Sequence, residues 1–415
     1  MKNQLWFKRL LAVEGQDATF RPASALVLEQ AKNSLVWDVD GNSYIDLCAG
    51  FGALPLGHNN DEIRAKLRDQ DNLISHGMGD LFPSRSKIEL MEALLALFPS
   101  HLRQVLLSVT GSQAVELAMK TAILATKGSG FISFEGAYHG VELGSLALAG
   151  QPKFRDPFAS WLNVKHVQHL PFVCSAEHIQ SAFDVFKSEG IKPAAIIVEP
   201  IQCRGGFRSA PLTWLKLLRS FCEKENCLLI FDEVFTGLGR SGRMTFADAV
   251  PCDLLCLGKA LGGGMPLSAC LGTQEVMQAW PRNEGEAIHT GTFFGHPYSC
   301  RVALATLAVI SEQKLVERSL IVGNQFLLAL KKNLAERPSI RDIRGSGLMI
   351  AIEFVEPANA IHVTNELRSE GFLLTPCGVN GECVSFSPAL NIAESLLNKT
   401  LAALVAILDR LEKKV

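Results

Sequence analysis

The sequence predicts an α/β protein with a mostly parallel sheet flanked by helices on both faces, and a smaller α+β lobe beside it. Three observations lead there. Short apolar runs of buried-strand type recur at FISF (131–134), AAIIVE (194–199), CLLIFDE (227–233) and LLCLG (254–258). Helical periods lie between them, including 112–126 and 212–225, and such alternation is the mark of parallel strands joined by covering helices. Finally, 415 residues are more than one small core accommodates, so two packed lobes are expected.

The opening MKNQLWFKRLLAVEG carries basic residues but no apolar core of signal-peptide length before Arg9. Leu35–Val39 and Ser43–Leu47 flank Asp40-Gly41-Asn42, which predicts a hairpin. The most apolar later window, Leu254–Gly272, has Lys259 within it and glycines at 262, 263 and 264. That pattern predicts a buried strand–loop–strand, not a membrane helix. After about residue 300 the character changes: one long helical pattern over about 299–333, strands near 347–354 and 383–387, and a final helix over about 393–413. The expected division is an N-terminal segment, 1–60, joining the small domain and a dimer interface. A large domain, 61–300, and a C-terminal small domain, 301–415, follow.

Net charge is −2, from 40 basic and 42 acidic residues, which leaves no electrostatic footprint for nucleic acid or an anionic membrane. None of the eleven cysteines forms a CxxC pair. Cys222/Cys227 and Cys252/Cys256 have the wrong spacing for zinc, and histidines are scattered, so no metal site is expected. The odd count speaks against a complete disulfide framework. Burial as small apolar residues in a cytoplasmic protein is the expectation.

In open α/β sheets, ligands bind beyond the carboxyl ends of the strands, and Glu199, Asp232 and Lys259 stand at three such ends. A carboxylate there is costly unless it meets a cation or several donors; Asp232 could face a protonated pyridine nitrogen, or simply cap the next loop. Lys259 lies between a buried strand and a glycine run, where desolvation makes an amine nucleophilic; it could equally be a surface loop lysine. In SVTGSQAVELAMK, Thr110, Gly111 and Ser112 open a helix whose amides and dipole attract anions; ordinary N-capping by Ser112 or Thr110 is the plainer reading. Tyr138 and His139 follow the strand FISF, and an aromatic there can stack on a flat ring or anchor the loop.

In combination and order these features resemble the class III (subgroup II) aminotransferases of pyridoxal-phosphate (PLP) fold type I. The resemblance rests on GDLFPSRSKIEL, GSQAVELAMKTA, YHG, VEPIQ, FDEVFTGLGRSG, LGKALGGGMPLSA, HTGTFFGHPYSC and RGSGLMIAIE, and it extends over nearly the whole chain. It implies that Lys259 holds the cofactor as a Schiff base and shuttles the proton, and that Asp232 pairs with the pyridine nitrogen. It further implies that Gly111 and Ser112 bind the phosphate, that Tyr138 and Val234 flank the ring, and that Glu199 supports the ring's hydrogen-bond network. Thr292 matches a position that binds phosphate from the neighbouring subunit, which implies a homodimer with shared active sites. CAGFGALPLGHNNDEI places Phe51 at the pocket or the dimer interface.

Two departures bear on the substrate. Where many members have a Glu after VEPIQ, this chain has Arg204. Where many have the arginine that clasps a substrate α-carboxylate, it has Ser385, in VSFSPALNI. With that bidentate clamp missing, the expected donor is an amine or ω-amino compound, and Arg204 either meets a distal carboxylate or points to solvent. Arg344, His58, His289 and His296 receive no role. An aminomutase, racemase or decarboxylase on the same fold is the alternative within the cofactor class. A non-catalytic scaffold disagrees with the presence of both Lys259 and Asp232.

Overall fold

The computed structural model describes residues 2–16, 18–19, 25–68, 74–282 and 285–413. Its centre is a seven-stranded sheet in the order Leu102–Ser108, Ser268–Thr273, Leu254–Leu257, Leu228–Asp232, Pro193–Val198, Gly130–Phe134, Val167–Leu170. Only Ser268–Thr273 runs antiparallel to its neighbours; the strands from Leu254–Leu257 to Val167–Leu170 pair in parallel. The strand–loop–strand expected over 254–272 is therefore a tight antiparallel return, with Lys259 in its loop.

Because strand side chains alternate between faces, continuous apolar runs must be covered twice. Ile196, Val198, Leu229, Phe231, Leu255 and Leu257 enter one core with Trp214, Leu215, Leu218 and Phe221 of the helix Leu212–Glu225. Ala195, Ile197, Ile230, Leu254 and Cys256 enter a second core on the other face with Ala114, Val115, Leu117 and Ala118 of the helix Gly111–Thr126. The near absence of polar residues within these runs thus follows from double coverage.

A second, antiparallel sheet of four strands has the order Ile340–Ser346, Met349–Phe354, Cys383–Phe386, Thr375–Cys377. It packs with the helices Leu315–Leu334 and Glu394–Glu412 in a separate core that includes Phe326, Leu330, Phe354, Phe386 and Leu404. The expected hairpin forms between Leu35–Asp38 and Ser43–Asp46, pairing Leu35 with Ile45 and Trp37 with Ser43, with Leu28–Lys32 added in front. Its far edge pairs in parallel with Phe372–Leu373, so the chain's beginning is tied to its C-terminal part. The first residues form a helix, Lys2–Val13, whose opening amides at Lys2 and Asn3 donate to Asp40 in the hairpin turn, at 2.8 and 3.0 Å.

One expectation is corrected. The pattern over 299–333 is two helices, Pro297–Glu312 and Leu315–Leu334, separated where Lys314 takes a left-handed φ of 51°. Apolar spacing continues through the break without Gly or Pro, so periodicity does not reveal it. Tertiary packing imposes it: Cys300, Ala303 and Leu307 fill the large sheet's core, whereas Val322, Phe326 and Leu330 fill the other. The eleven cysteines are free thiols, nine of them buried, in keeping with use as small apolar side chains. Among the described residues, no helix is long and apolar enough to cross a membrane, and no cluster of three or more His, Cys, Asp or Glu is arranged to hold a metal ion.

Candidate active site

A cavity of about 430 Å³ opens at the carboxyl ends of the central strands. Gly111, Ser112, Tyr138, Glu199, Asp232, Val234 and Lys259 all line it, together with Phe51, Arg204 and Ser385. Thr292 is not among the lining residues of the single chain; its carbonyl accepts a hydrogen bond from His76 Nε2 at 2.7 Å.

Asp232 ends the strand Leu228–Asp232 and is buried. Its Oδ1 accepts the Val234 amide at 3.1 Å, and its Oδ2 lies 2.7 Å from Nδ1 of His139. His139 is buried as well, and its Nε2 has no hydrogen-bond partner among the described residues. Burial alone would lower the imidazole pKa, but the bond to Asp232 and the charges of Asp232 and Glu199 outweigh it, and the net direction is upward. In the sequence His139 stands only as the neighbour of Tyr138 on the loop, and its pairing with Asp232 is a contact that the structure adds. Glu199 follows the neighbouring strand; Oε1 accepts the Tyr138 amide at 2.8 Å and Oε2 the Cys203 amide at 3.1 Å. Burial pushes its carboxyl up to about 7, Asp232 adds to the rise, and His139 and the two amides oppose it.

The adjoining acid, Glu233, turns the other way. Its Oε1 accepts from Thr245 Oγ1 and the Phe246 amide at 2.5 and 2.7 Å, and Oε2 from Thr236 Oγ1 at 3.1 Å. Burial raises its pKa from 4.5 to about 7 despite these donors. A raised carboxyl pKa means that the folded state retains a proton the unfolded state has lost. Stability should therefore fall as pH rises from about 4.5 to about 7 and level off above. Glu233→Gln, which cannot ionise, should show a shallower fall of thermal midpoint over that window. Equal slopes for variant and wild type would refute this account.

Lys259 begins the loop after Leu254–Leu257 with a left-handed φ of 44°, a conformation that costs a non-glycine residue about 1–3 kcal/mol. Its Nζ sits 3.9 Å from the centroid of Phe235. Burial drives the ammonium pKa down, Arg204 adds to this, and Cys203, Glu199 and Asp232 oppose it. The result is an amine shifted toward its neutral, nucleophilic form.

The helix Gly111–Thr126 points its N-terminus at the cavity. Thr110 caps it in a reciprocal box with Gln113, so of the two expected caps Thr110 takes the role. Ser112 Oγ is left to a 2.6 Å bond with Ser145 Oγ and a 3.3 Å bond from the Glu142 amide. A Cβ on Gly111 would stand 2.6 Å from Val234 Cγ1, so glycine is required for Val234 to approach the helix start. Tyr138 packs edge-on against Phe154, with centroids 5.5 Å apart, and Phe51 holds a left-handed φ of 56° at the rim, more than half exposed.

Ser385 Oγ donates to the Thr375 carbonyl at 2.8 Å and lies 3.2 Å from its hydroxyl. Arg344 serves the framework: Nη1 bonds Glu353 at 2.6 Å and Asp342 at 2.9 Å, and Nε donates to Gly206 O at 2.7 Å. His58 pairs with Asp46 at 3.0 Å, and His289 with Lys120 at 3.1 Å.

The model of the class-III aminotransferase family matches residues 18–408. The 5-aminovalerate aminotransferase DavT of Pseudomonas aeruginosa is 34% identical over 408 residues, covering 93% of this chain and 94% of that protein. Its namesake from Pseudomonas putida is 34% identical over 399 residues, covering 91% and 92%. Among solved structures, the ornithine aminotransferase of Toxoplasma gondii ME49 superposes with a TM-score of 0.89 at 27% identity, over 100% of this chain and 96% of that one. An amine transaminase from an uncultivated Pseudomonas species, in its PLP-bound form, gives 0.86 at 27% identity, over 96% and 98%. The fold is thus PLP fold type I.

The cavity suits that cofactor chemically. It joins a capped helix N-terminus that accepts anions, a buried carboxylate steadied by His139, and an amine of lowered pKa. The chain belongs to the class-III aminotransferase family and is a PLP-dependent transaminase.

Proposed function

We propose that the amino donor is a terminal amine, an amine or ω-amino compound, and that the cavity residues divide the work as follows. When bound, PLP supplies an electron-withdrawing ring that carries the amino group from donor to carbonyl acceptor. Lys259 Nζ holds the cofactor covalently and then takes the proton from the amine-bearing carbon of the donor, which its lowered pKa favours. Asp232 faces the pyridine nitrogen, and His139 fixes the carboxylate through its 2.7 Å bond. The amides of Gly111 and Ser112 bind the phosphate at the positive end of their helix. Tyr138 and Val234 bracket the ring, and Glu199 braces the loop that carries Tyr138. Thr292 of the partner subunit would complete the phosphate site in a cytoplasmic homodimer. Exposed Met78, Phe82, Ile288 and Phe293 give such a dimer apolar surface to bury.

The donor class rests on one observation. The cavity that Lys259 lines offers Ser385, whose hydroxyl is already engaged by Thr375, and among the described residues Arg204 is the only arginine in the lining. A carboxylate directly beside the reacting carbon would lack a guanidinium fork. The two DavT relatives, named for an ω-amino acid, agree with a terminal-amine donor. In steady-state assays, primary amines and ω-amino acids should exceed α-amino acids in kcat/KM by about tenfold or more. A clear preference for an α-amino acid would sink the proposal.

A further inference from the structure

The cavity lining includes an exposed cation, Arg204, that pairs with no carboxylate among the described residues. Of the basic side chains outside the cavity lining, Arg344 is spent on Asp342, Glu353 and Gly206 O. Arg208 gives its Nη2 to Gln202 Oε1 at 2.7 Å and Glu135 O at 3.2 Å. Lys153 donates to Val379 O at 3.3 Å. Arg204 lines the cavity, yet no carboxylate or other acceptor among the described residues takes its guanidinium. It lies instead over two aromatic rings, 5.1 Å from the centroid of Tyr138 and 5.8 Å from that of Phe154.

The carboxylates in the neighbourhood are otherwise engaged. Glu199 accepts the amides of Tyr138 and Cys203. Glu382 accepts the Asn380 amide at 2.8 Å, and its field acts on Lys153 and Arg208. Lys153 stands 5.3 Å from the same Phe154 ring that Arg204 covers, so two cations share one aromatic. Burial and then Arg204 depress the Lys153 pKa, and Arg204 also depresses that of Lys259. An anion at Arg204 would relieve both repulsions and gain a planar, forked partner. The base of the side chain is fixed as well: the Arg204 carbonyl accepts the Gly378 amide at 3.1 Å, which pins its turn to the loop after Thr375–Cys377.

We infer that Arg204, with Lys153 beside it on the Tyr138–Phe154 platform, is the anion subsite that reads the far end of the substrate, selecting donors whose carboxylate lies opposite the reacting amine. The inference rests on the terminal-amine reading above and names the group that makes such a donor an acid. Lys259 and Arg204 line one cavity, so a linear ω-amino carboxylate can place its amine at one and its carboxylate at the other. Arg204 thereby becomes a specificity determinant, remote from the reacting carbon.

The test compares kcat/KM for 5-aminovalerate with that for pentylamine, which has the same chain without the carboxylate, using the holoenzyme. Wild type should favour the acid, and Arg204→Gln should lower the acid-to-amine ratio on the order of 10- to 100-fold, the value of a charge-assisted hydrogen bond. Arg204→Lys should recover part of the ratio, because a point charge replaces the fork. Lys153→Gln should lower it by only about threefold, as expected for an exposed charge. Full cofactor absorbance in each variant verifies folding. An unchanged ratio in Arg204→Gln, or equal losses for acid and amine, overturns the subsite while leaving the terminal-amine reading intact. Wild type that accepts neither compound overturns both.

Discussion

Lys259→Ala should abolish transamination while leaving the fold in place. A positioned acid–base group contributes about 10²–10⁴-fold, and the covalent hold on the cofactor disappears with the same side chain, so turnover should fall by more than about 10⁴-fold. The visible band of the covalently held cofactor should vanish, whereas phosphate binding at the Gly111 helix start should persist. Stability should not suffer. Position 259 already bears the cost of its left-handed backbone, which alanine shares, and the substitution removes an amine whose charged form burial disfavours. An unfolding midpoint equal to or above wild type is therefore expected for the apo-protein. Retained turnover near the wild-type level would exclude Lys259 as the cofactor's anchor.

The second large effect is expected of Asp232→Asn. The substitution preserves shape and cavity but removes the negative charge proposed above to face the ring nitrogen, so the cofactor should load normally and draw electrons poorly. Electrostatic arrangements of this kind are worth about 10²–10³-fold when one member is removed, and the loss should appear in kcat more than in KM. Deuterium at the amine-bearing carbon of the donor should then slow the variant more than wild type, because proton removal becomes limiting. His139 supplies an independent readout. Its pKa is held up by the bond and charge of Asp232 against the opposing effect of burial. Losing that charge should shift the imidazole titration, followed by NMR, to lower pH. Near-normal activity, or an unmoved His139, would contradict the pairing.

Both predictions concern residues that were legible in the sequence, for a definable reason. Lys259 and Asp232 close apolar runs, and in an open α/β sheet the polar residue at the carboxyl end of a buried strand faces the ligand crevice. Local order also carried Thr110, Gly111 and Ser112, since an N-cap and its exposed amides depend on neighbouring residues alone. His139 shows the limit. It is 93 residues from Asp232, and nothing in the string Tyr-His-Gly says which carboxylate an imidazole will meet. Arg204 and Ser385 were visible as departures from a family pattern, but whether Arg204 points into the cavity or to solvent is not a local property.

By itself the sequence determined the elements whose periodicity matches their burial. These are the doubly covered strands at 130–134, 193–198, 228–232 and 254–257, the helices Gly111–Thr126 and Leu212–Glu225, and the hairpin around Asp40. It also determined which residues stand at strand ends, because chain order alone sets that. Tertiary structure decided the rest. The break at Lys314, the reversed strand Ser268–Thr273, the return of the N-terminal hairpin to Phe372–Leu373 and the meeting of Arg204 with Lys153 over Phe154 are all products of packing between distant segments. Such choices follow from which surfaces bury one another and which charges find partners. A one-dimensional pattern records only each segment's own preference, and the cavity that takes the substrate is built where those preferences meet.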